Sequence, residues 1–223
     1  MPTRKRFWDD PYLTHLDTTV LAVDGQRVHV RETIFFAFSG GQESDTGTLG
    51  GYPVLHADKE GLDLVYTLPL DHQLRAGDGV AIWIDGARRL GLMRHHFAAE
   101  MILQLVYRAR PGIERIGAHI AADKARIDFA SDTSLSPLLP ELEREAASLV
   151  ARALPIHTAF SDIDAERRYW QVEGFASMPC GGTHPRTTAE VGALTLKRRN
   201  TGKGKERIEI VLAPLVGSGL NRI

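Results

Sequence analysis

The segment Cys180-Gly181-Gly182-Thr183-His184 places a thiol and an imidazole four residues apart. The glycine pair between them disfavours a helix and lets the backbone fold tightly, so that both side chains can reach one point. Core packing gives no reason for this string of residues. Because thiolate and imidazole are both ligands that zinc accepts, the segment predicts half of a metal site.

The other half of the predicted site lies on a helix expected from Ala87 to Arg110, a proline-free stretch that ends at Pro111-Gly112. On this helix His96 and Glu100 share one face, with Cβ atoms roughly 5–6 Å apart. His95 points about 100° away from His96 and is expected at the surface or behind the site. The predicted ligands of a Zn²⁺ ion are therefore His96, Glu100, Cys180 and His184.

The chain divides by composition near residues 84–87. Residues 1–85 are predicted to be mostly β-structure, with paired strands over 17–38 that continue into a buried strand at Ile34–Phe38. Residues 86–223 mix helices and strands and carry the metal site. Further helices are expected at Ser136–Ala153 and Asp162–Arg168, and further strands at 54–57, 62–68, 80–84, 116–121, 125–129, 156–160, 169–172, 189–197 and 207–212.

The overall composition and charge of the chain limit its possible functions. The 223 residues are 43% hydrophobic and 25% charged, with a formal net charge of −1, so no overall basic field indicates nucleic-acid binding. A single cysteine excludes an internal disulfide. No apolar run approaches the roughly 18 residues of a membrane span, and no secretory signal is evident. The expectation is a soluble cytoplasmic protein without membrane contact and without an ATP-binding phosphate loop.

The two metal-site motifs resemble those of alanyl-tRNA editing domains, which occur inside alanyl-tRNA synthetase and as free-standing AlaX proteins. Cys180–His184 is similar to the signature string of that family, and Met93–Glu100 is similar to its upstream histidine helix. The loop Phe38–Gly47, with Gly40-Gly41-Gln42, resembles the family's glycine-rich loop. Ile127–Phe129 and Thr188–Gly192 also fit in order, so the resemblance covers about residues 12–213.

The resemblance implies an α+β fold in which a small β-barrel-like N-terminal domain, 1–85, packs on a two-layer α/β editing domain with an antiparallel sheet, 86–223. It implies a deacylase that hydrolyses the 3′-terminal ester of tRNA(Ala) mischarged with serine or glycine. Glu100 departs from the family, which has a second histidine there. Either the carboxylate binds the metal, or it does not and leaves three ligands with an open position.

The resemblance also implies roles around the metal. Gln42, Asp45 and Thr46 are expected to contact the substrate or hold a water, and Gly181, Gly182 and Thr183 to present backbone N–H groups to the oxyanion. By composition alone the loop is more typical of a simple turn. The predicted substrate- and tRNA-binding residues are Gly40, Gly41, Arg94, Lys197, Arg198 and Arg199.

The basic run Lys197–Arg207 has six cations and one acid, which fits either phosphate contact or a solvated hairpin tip. Two other functions stay open at this point: an editor of Ser-tRNA(Thr), and a tRNA-binding relative without catalytic activity. The amino-acid preference and the oligomeric state also stay open.

Overall fold

The computed structural model describes residues 2–214 and has mixed α/β structure with mostly antiparallel sheets. The strands of the first part are β1 Arg4–Lys5, β2 His15–Asp24, β3 Arg27–Val30, β4 Glu32–Thr33, β5 Gly47–Leu49, β6 Tyr52–Pro53, β7 His56–Glu60, β8 Asp63–Thr67 and β9 Gly79–Ile84. The second part contains α1 Gly86–Ala109, β10 Glu114–Ile120, β11 Ala125–Ala130, α2 Leu139–Ala151, β12 His157–Asp162, β13 Arg167–Val172, β14 Ala176–Pro179, β15 Leu194–Asn200 and β16 Lys205–Leu212.

Seven strands of the first part form one curled, half-barrel sheet in the order β6-β5-β9-β2-β3-β8-β7. Alternating residues of these strands fill its interior, where Val28, Leu49, Tyr66 and Ile82 are fully buried. The short strand β1 pairs in parallel with β4 outside this sheet. This arrangement agrees with the barrel-like sheet expected from the sequence.

The second part packs α1 and α2 on an antiparallel sheet of order β10-β11-β16-β15, and β12-β13-β14 form a separate sheet. The helix α1 begins where Asp85 caps it by accepting a hydrogen bond from Arg88 N at 3.0 Å. It ends before Gly112, whose φ of 85° suits glycine. The predicted bounds of this helix are confirmed to within one residue.

The buried apolar residues form two clusters, one from Val20 to Ile84 and the other from Leu92 to Leu212. Between them the loop after Ile34–Phe38 joins β10, where Glu43 N donates to Ile120 O and Ile120 N donates to Gly41 O. The domain boundary near residue 85 and the packing of one domain on the other stay predictions. Within residues 2–214, no helix is long and apolar enough to cross a membrane.

The predicted strand at Ile34–Phe38 is wrong, although its first four residues are buried as expected. Side chains accept the hydrogen bonds that a neighbouring strand would otherwise accept from this backbone. Phe36 N donates to Asp45 Oδ2 at 2.7 Å, and Phe38 N donates to Ser44 Oγ at 2.8 Å. An apolar run does not reveal whether its backbone partners are strands or side chains, so the pattern indicates burial and not a ladder.

The predicted helix at Asp162–Arg168 is also wrong, because Asp162 ends β12, residues 163–166 form a turn and Arg167 begins β13. Asp162 Oδ1 accepts a hydrogen bond from Ala165 N at 2.9 Å, which is the local bond by which aspartate starts a turn. The predicted strand over 189–197 begins only at Leu194, since Thr188–Val191 is a 3₁₀ turn stabilised by a capping box between Thr187 and Glu190.

Candidate metal centre

The four predicted ligands converge at one point. The helix α1 supplies His96 and Glu100, and the loop after β14 supplies Cys180 and His184. One ligand atom from each lies within 4.8 Å of every other, and three of the four residues are buried. The sequence prediction that these side chains come together is confirmed.

Two of the three short ligand-atom distances match those on a small tetrahedral ion, and the third is that of a hydrogen bond. Glu100 Oε1 lies 3.4 Å from His96 Nε2, and Cys180 Sγ lies 3.5 Å from the same nitrogen. His184 Nε2 lies 2.8 Å from Glu100 Oε2. Ligands on a tetrahedral zinc ion lie about 3.4–3.6 Å apart, given metal–ligand bonds of about 2.0–2.3 Å. The nitrogen, oxygen and sulfur atoms therefore form a donor set and a spacing that could hold a metal ion.

The electrostatics of the cluster favour a divalent cation. Burial opposes protonation of both imidazoles, but the charges of Glu100 and Cys180 raise the pKa of His96 and His184 above ordinary values. Burial also acts to raise the pKa of Glu100 and of Cys180, yet the imidazoles lower both. Two acidic side chains and two imidazoles share one buried space, so a metal ion that displaced their protons could supply the charge compensation.

Gln42 fixes the orientation of the helix histidine. Its Oε1 accepts a hydrogen bond from His96 Nδ1 at 2.5 Å, and its Nε2 donates to Thr183 Oγ1 at 3.0 Å. With Nδ1 engaged as a donor, Nε2 of His96 presents its lone pair to the cluster. Gln42 is fully buried, so it links the glycine-rich loop, α1 and the cysteine loop.

The two glycines of the cysteine loop differ in what surrounds them. A Cβ atom at Gly182 would lie 2.0 Å from His96 Cε1, so only glycine lets the loop approach the helix. Gly181 has open space at the same position. Gly182 N donates to Cys180 Sγ at 3.3 Å and Thr183 N donates to Gln42 Oε1 at 3.4 Å. Of the three amides expected at an oxyanion, Gly181 N–H alone has no acceptor within residues 2–214.

A cavity of about 300 Å³ opens onto this cluster. Its walls come from both parts of the chain: Trp8 and Lys59 lie on one side, Arg115 and Ala118 of β10 on another, and His96 with Cys180 at the metal cluster. A volume of this size is at the lower end of those that bind small molecules. The cluster is therefore accessible to a ligand that enters between the half-barrel and β10.

Known proteins are similar to this sequence over nearly its whole length, although no family model matches it. The alanyl-tRNA editing protein AlaX-M of Pyrococcus horikoshii is 29% identical over 215 residues, covering 94% of this chain and 98% of that protein. AlaX-M of Methanosarcina barkeri is 29% identical over 241 residues, covering 94% of this chain and 99% of that protein. The chain is a relative of the alanyl-tRNA editing proteins.

Longer enzymes contain the same region. The alanine–tRNA ligase of Korarchaeum cryptofilum is 32% identical over 234 residues, which cover 93% of this chain and 26% of that enzyme. The chain thus spans about a quarter of the ligase and nearly all of the editing proteins. This relation agrees with the resemblance expected from the cysteine and histidine motifs.

Two residues of the glycine-rich loop that were expected at the substrate lie elsewhere. Asp45 is buried and paired with Arg89, whose Nε donates to Asp45 Oδ1 at 3.0 Å. Thr46 is exposed, and its carbonyl oxygen accepts from Asp85 N at the start of α1. Neither residue lines the cavity, so their contacts support a role in holding the loop against α1.

Arg94 is also engaged in the interior, although its position was expected to contact tRNA. It is 7% exposed and donates to the backbone oxygens of Glu190, Val191 and Ala213. Burial lowers its pKa. Gly40 does line the cavity, whereas Gly41 packs so tightly that a Cβ atom would lie 2.6 Å from Ala118 O. His95, expected at the surface or behind the site, is buried, with Nδ1 2.9 Å from Gly91 O.

The predicted basic patch is largely paired with acids. Arg198 Nε donates to Glu206 Oε2 at 2.7 Å, and Arg199 Nε donates to Glu209 Oε2 at 3.1 Å. Lys197 is exposed and forms no ion pair within the described residues. The ion pairs stabilise the β15–β16 hairpin. Lys203 and Lys205 are likewise exposed and without an ion pair in the described residues, so the three lysines are the cations of the run left to contact phosphate.

Sequence reasoning missed the N-terminal segment that borders the site. Trp8 Nε1 donates to Gly181 O at 2.9 Å, and Tyr12 OH bonds to Glu190 and accepts from Arg186 N at 3.0 Å. These contacts join residues more than 170 positions apart in the chain. The one local signal was the presence of three large aromatic residues, Phe7, Trp8 and Tyr12, in a short polar segment.

Proposed function

We propose that this protein is a zinc-dependent deacylase that hydrolyses the 3′-terminal ester of tRNA(Ala) carrying a wrong amino acid. The observation that most supports this proposal is that four side chains converge at a cavity lined by both parts of the chain: His96, Glu100, Cys180 and His184. The two AlaX-M relatives are named as alanyl-tRNA editing proteins and match 94% of the chain, which supports the same reaction.

Zinc is the metal that best suits these ligands. A site with one thiolate, two imidazoles and one carboxylate combines ligand types that are typical of zinc and rare for magnesium or calcium. When bound, zinc would supply Lewis acidity toward the ester carbonyl or a water molecule. Glu100 lies near two histidine nitrogens, at 3.4 and 2.8 Å, which supports its role as the fourth ligand.

The chain's own residues would position the ester. Gly181 lines the cavity, and its N–H has no acceptor within residues 2–214, so it would be available to stabilise the oxyanion of the tetrahedral intermediate. Gln42 and Thr183 hold the cysteine loop against His96 and thereby keep that wall fixed. A site that hydrogen-bonds the serine hydroxyl would leave those groups unpaired with alanine, which favours removal of serine.

The proposal is tested by deacylation of Ser-, Gly- and Ala-tRNA(Ala), with Ser-tRNA(Thr) added as the competing substrate. We expect the wild-type protein to release serine or glycine and to spare alanine. Cys180→Ala and His96→Ala should abolish the activity and lower the zinc content measured by elemental analysis. His157→Ala is the matched control, because that histidine is exposed on β12 and lies outside the cluster.

Other outcomes of the same assay distinguish the rival functions. Preferred hydrolysis of Ser-tRNA(Thr) would assign the protein to another tRNA. A metal-free, inactive protein that still binds tRNA would make it a binding module. Glu100→Ala separates the two ligand schemes: a large loss of zinc affinity supports four ligands, and unchanged affinity supports three.

A further inference from the structure

An ion pair lies in the wall of the cavity, apart from the metal cluster. Lys5 of β1 and Glu166 of the β12–β13 turn are 161 residues apart, and Lys5 Nζ lies 2.5 Å from Glu166 Oε1. The side chains are 3% and 15% exposed, and both line the cavity. Lys5 Nζ also donates to Leu62 O. The pair is therefore buried at a surface that a ligand would touch.

The pair has hydrogen-bonding capacity left over. An ammonium group has three donors, and two of those of Lys5 are used by Leu62 O and Glu166 Oε1. Glu166 Oε2 is buried and has no donor within the described residues. Leaving a buried carboxylate oxygen without a donor is costly. A free donor and a free acceptor thus lie side by side at the cavity.

The backbone at Glu166 supports a functional reason for this arrangement. Its φ is 50°, in the left-handed region that side-chain-bearing residues rarely adopt, and glycine or asparagine would relieve the strain. Strained residues that persist in a fold cluster at ligand-binding sites. The Glu166 carboxylate lies beside Lys5 in the cavity wall.

An indole ring separates this pair from the metal loop. Trp8 lines the cavity, its Nε1 donates to Gly181 O at 2.9 Å, and Lys5 Nζ lies 5.8 Å from the ring centroid. Trp8 thus contacts both the metal loop and the ion pair, and a substrate whose ester lay at Cys180 and Gly181 could extend along the indole toward the pair. In an aminoacyl-tRNA, the part beyond the ester is the ribose and then the adenine of the terminal adenosine.

We propose that Lys5 and Glu166 form a subsite for the terminal adenine, in which N1 accepts from Lys5 Nζ and the N6 amino group donates to Glu166 Oε2. This inference rests on the proposed deacylase function. The adjacent acceptor and donor on the pairing edge of adenine complement the free donor and acceptor of the pair. The subsite holds the base while the ester lies at the metal loop.

The test measures binding first. The probes are 3′-seramido-3′-deoxyadenosine, an amide that resists hydrolysis, and its purine-riboside counterpart, which lacks the N6 amino group. Isothermal titration should give wild-type protein a 10- to 100-fold preference, on the order expected for one hydrogen bond to a charged group. Equal affinity for the two probes, or no binding of either, would overturn the subsite.

Variants separate recognition from stability. Glu166→Ala should bind both probes equally, and so should the double variant Lys5→Met/Glu166→Ala, in which no unpaired charge is buried. Asp164→Ala is the matched control, because it lies in the same turn and is exposed, and it should keep the wild-type preference. A Glu166→Ala protein that folds and still prefers adenine would refute the assignment.

Activity distinguishes the two proposals. With 3′-O-seryl adenosine and 3′-O-seryl purine riboside, wild-type kcat/KM should follow the same preference. A protein that binds the adenine probe selectively but hydrolyses neither ester would refute the deacylase function and leave the adenine subsite supported.

Discussion

Replacement of Gln42 by methionine tests how the glycine-rich loop supports the metal site. Gln42→Met keeps a side chain of similar length but removes the acceptor at His96 Nδ1 and the donor at Thr183 Oγ1, both in fully buried surroundings. Each buried polar group left without its partner costs about 1–3 kcal/mol, so we expect a loss of about 2–6 kcal/mol in the free energy of unfolding.

The same substitution should weaken metal binding. Without the bond at Nδ1, the ring of His96 is free to rotate or to change tautomer, and Nε2 no longer points steadily at the cluster. Loss of such a supporting hydrogen bond typically lowers metal affinity about 10- to 100-fold. Competition for zinc against a chromophoric chelator measures the affinity, and chemical denaturation of the apoprotein measures the stability.

Gln26→Met serves as the control for this experiment. Gln26 lies in the half-buried turn between β2 and β3, and its Nε2 donates to Leu68 O at 2.8 Å. Its replacement removes one glutamine hydrogen bond without touching the cluster. We expect a modest loss of stability and unchanged zinc affinity. If Gln42→Met bound zinc as tightly as the wild-type protein, the role of Gln42 in fixing His96 would be refuted.

Three further perturbations have defined outcomes. Gly182→Ala should abolish zinc binding, since its Cβ atom would lie 2.0 Å from a ring carbon of the helix histidine, whereas Gly181→Ala should bind zinc normally; chelator competition compares them. Burial opposes ionisation of Asp128, but the Arg207 hydrogen bond lowers its pKa. The carboxylate therefore stabilises the fold above the usual carboxyl pKa of about 4, and that stability is lost as the pH falls from there through the lowered pKa. Urea unfolding of Asp128→Asn should show a weaker pH dependence than the wild-type protein, and an identical profile would contradict this. Lys197→Ala should reduce the salt dependence of tRNA binding by about one phosphate contact, while Arg198→Ala should mainly lower stability; equal slopes for wild-type and Lys197→Ala would exclude that contact.

Local signals predicted the parts of the structure that local forces determine. Asp85 and Pro111-Gly112 mark the ends of α1, and the spacing of four between His96 and Glu100 follows from helical geometry. The convergence of that helix with Cys180 was expected because their ligand types together suit one zinc ion, and the family resemblance supported it. Spacing within each motif says nothing about the distance between motifs.

Long-range pairings could not be predicted from the sequence. Asp45 and Arg89 lie 44 positions apart, and their pairing decides that Ile34–Phe38 bonds to side chains instead of a strand. Lys5 and Glu166 are 161 positions apart, and neither stands in a recognisable motif. Glu166 also shows a limit of turn rules, since glutamate is an unusual choice for a positive φ.

The order of the ligands along the chain has a consequence for biosynthesis. His96 and Glu100 leave the ribosome together, but the Cys180–His184 loop follows 84 residues later, and its histidine pairs with Glu100 only then. Until that point the helix exposes an imidazole and a carboxylate that have no partner from the second motif. Metal loading therefore belongs to the last stage of synthesis, and a nascent chain stalled before Cys180 should show a half-site with only weak, exchangeable zinc binding.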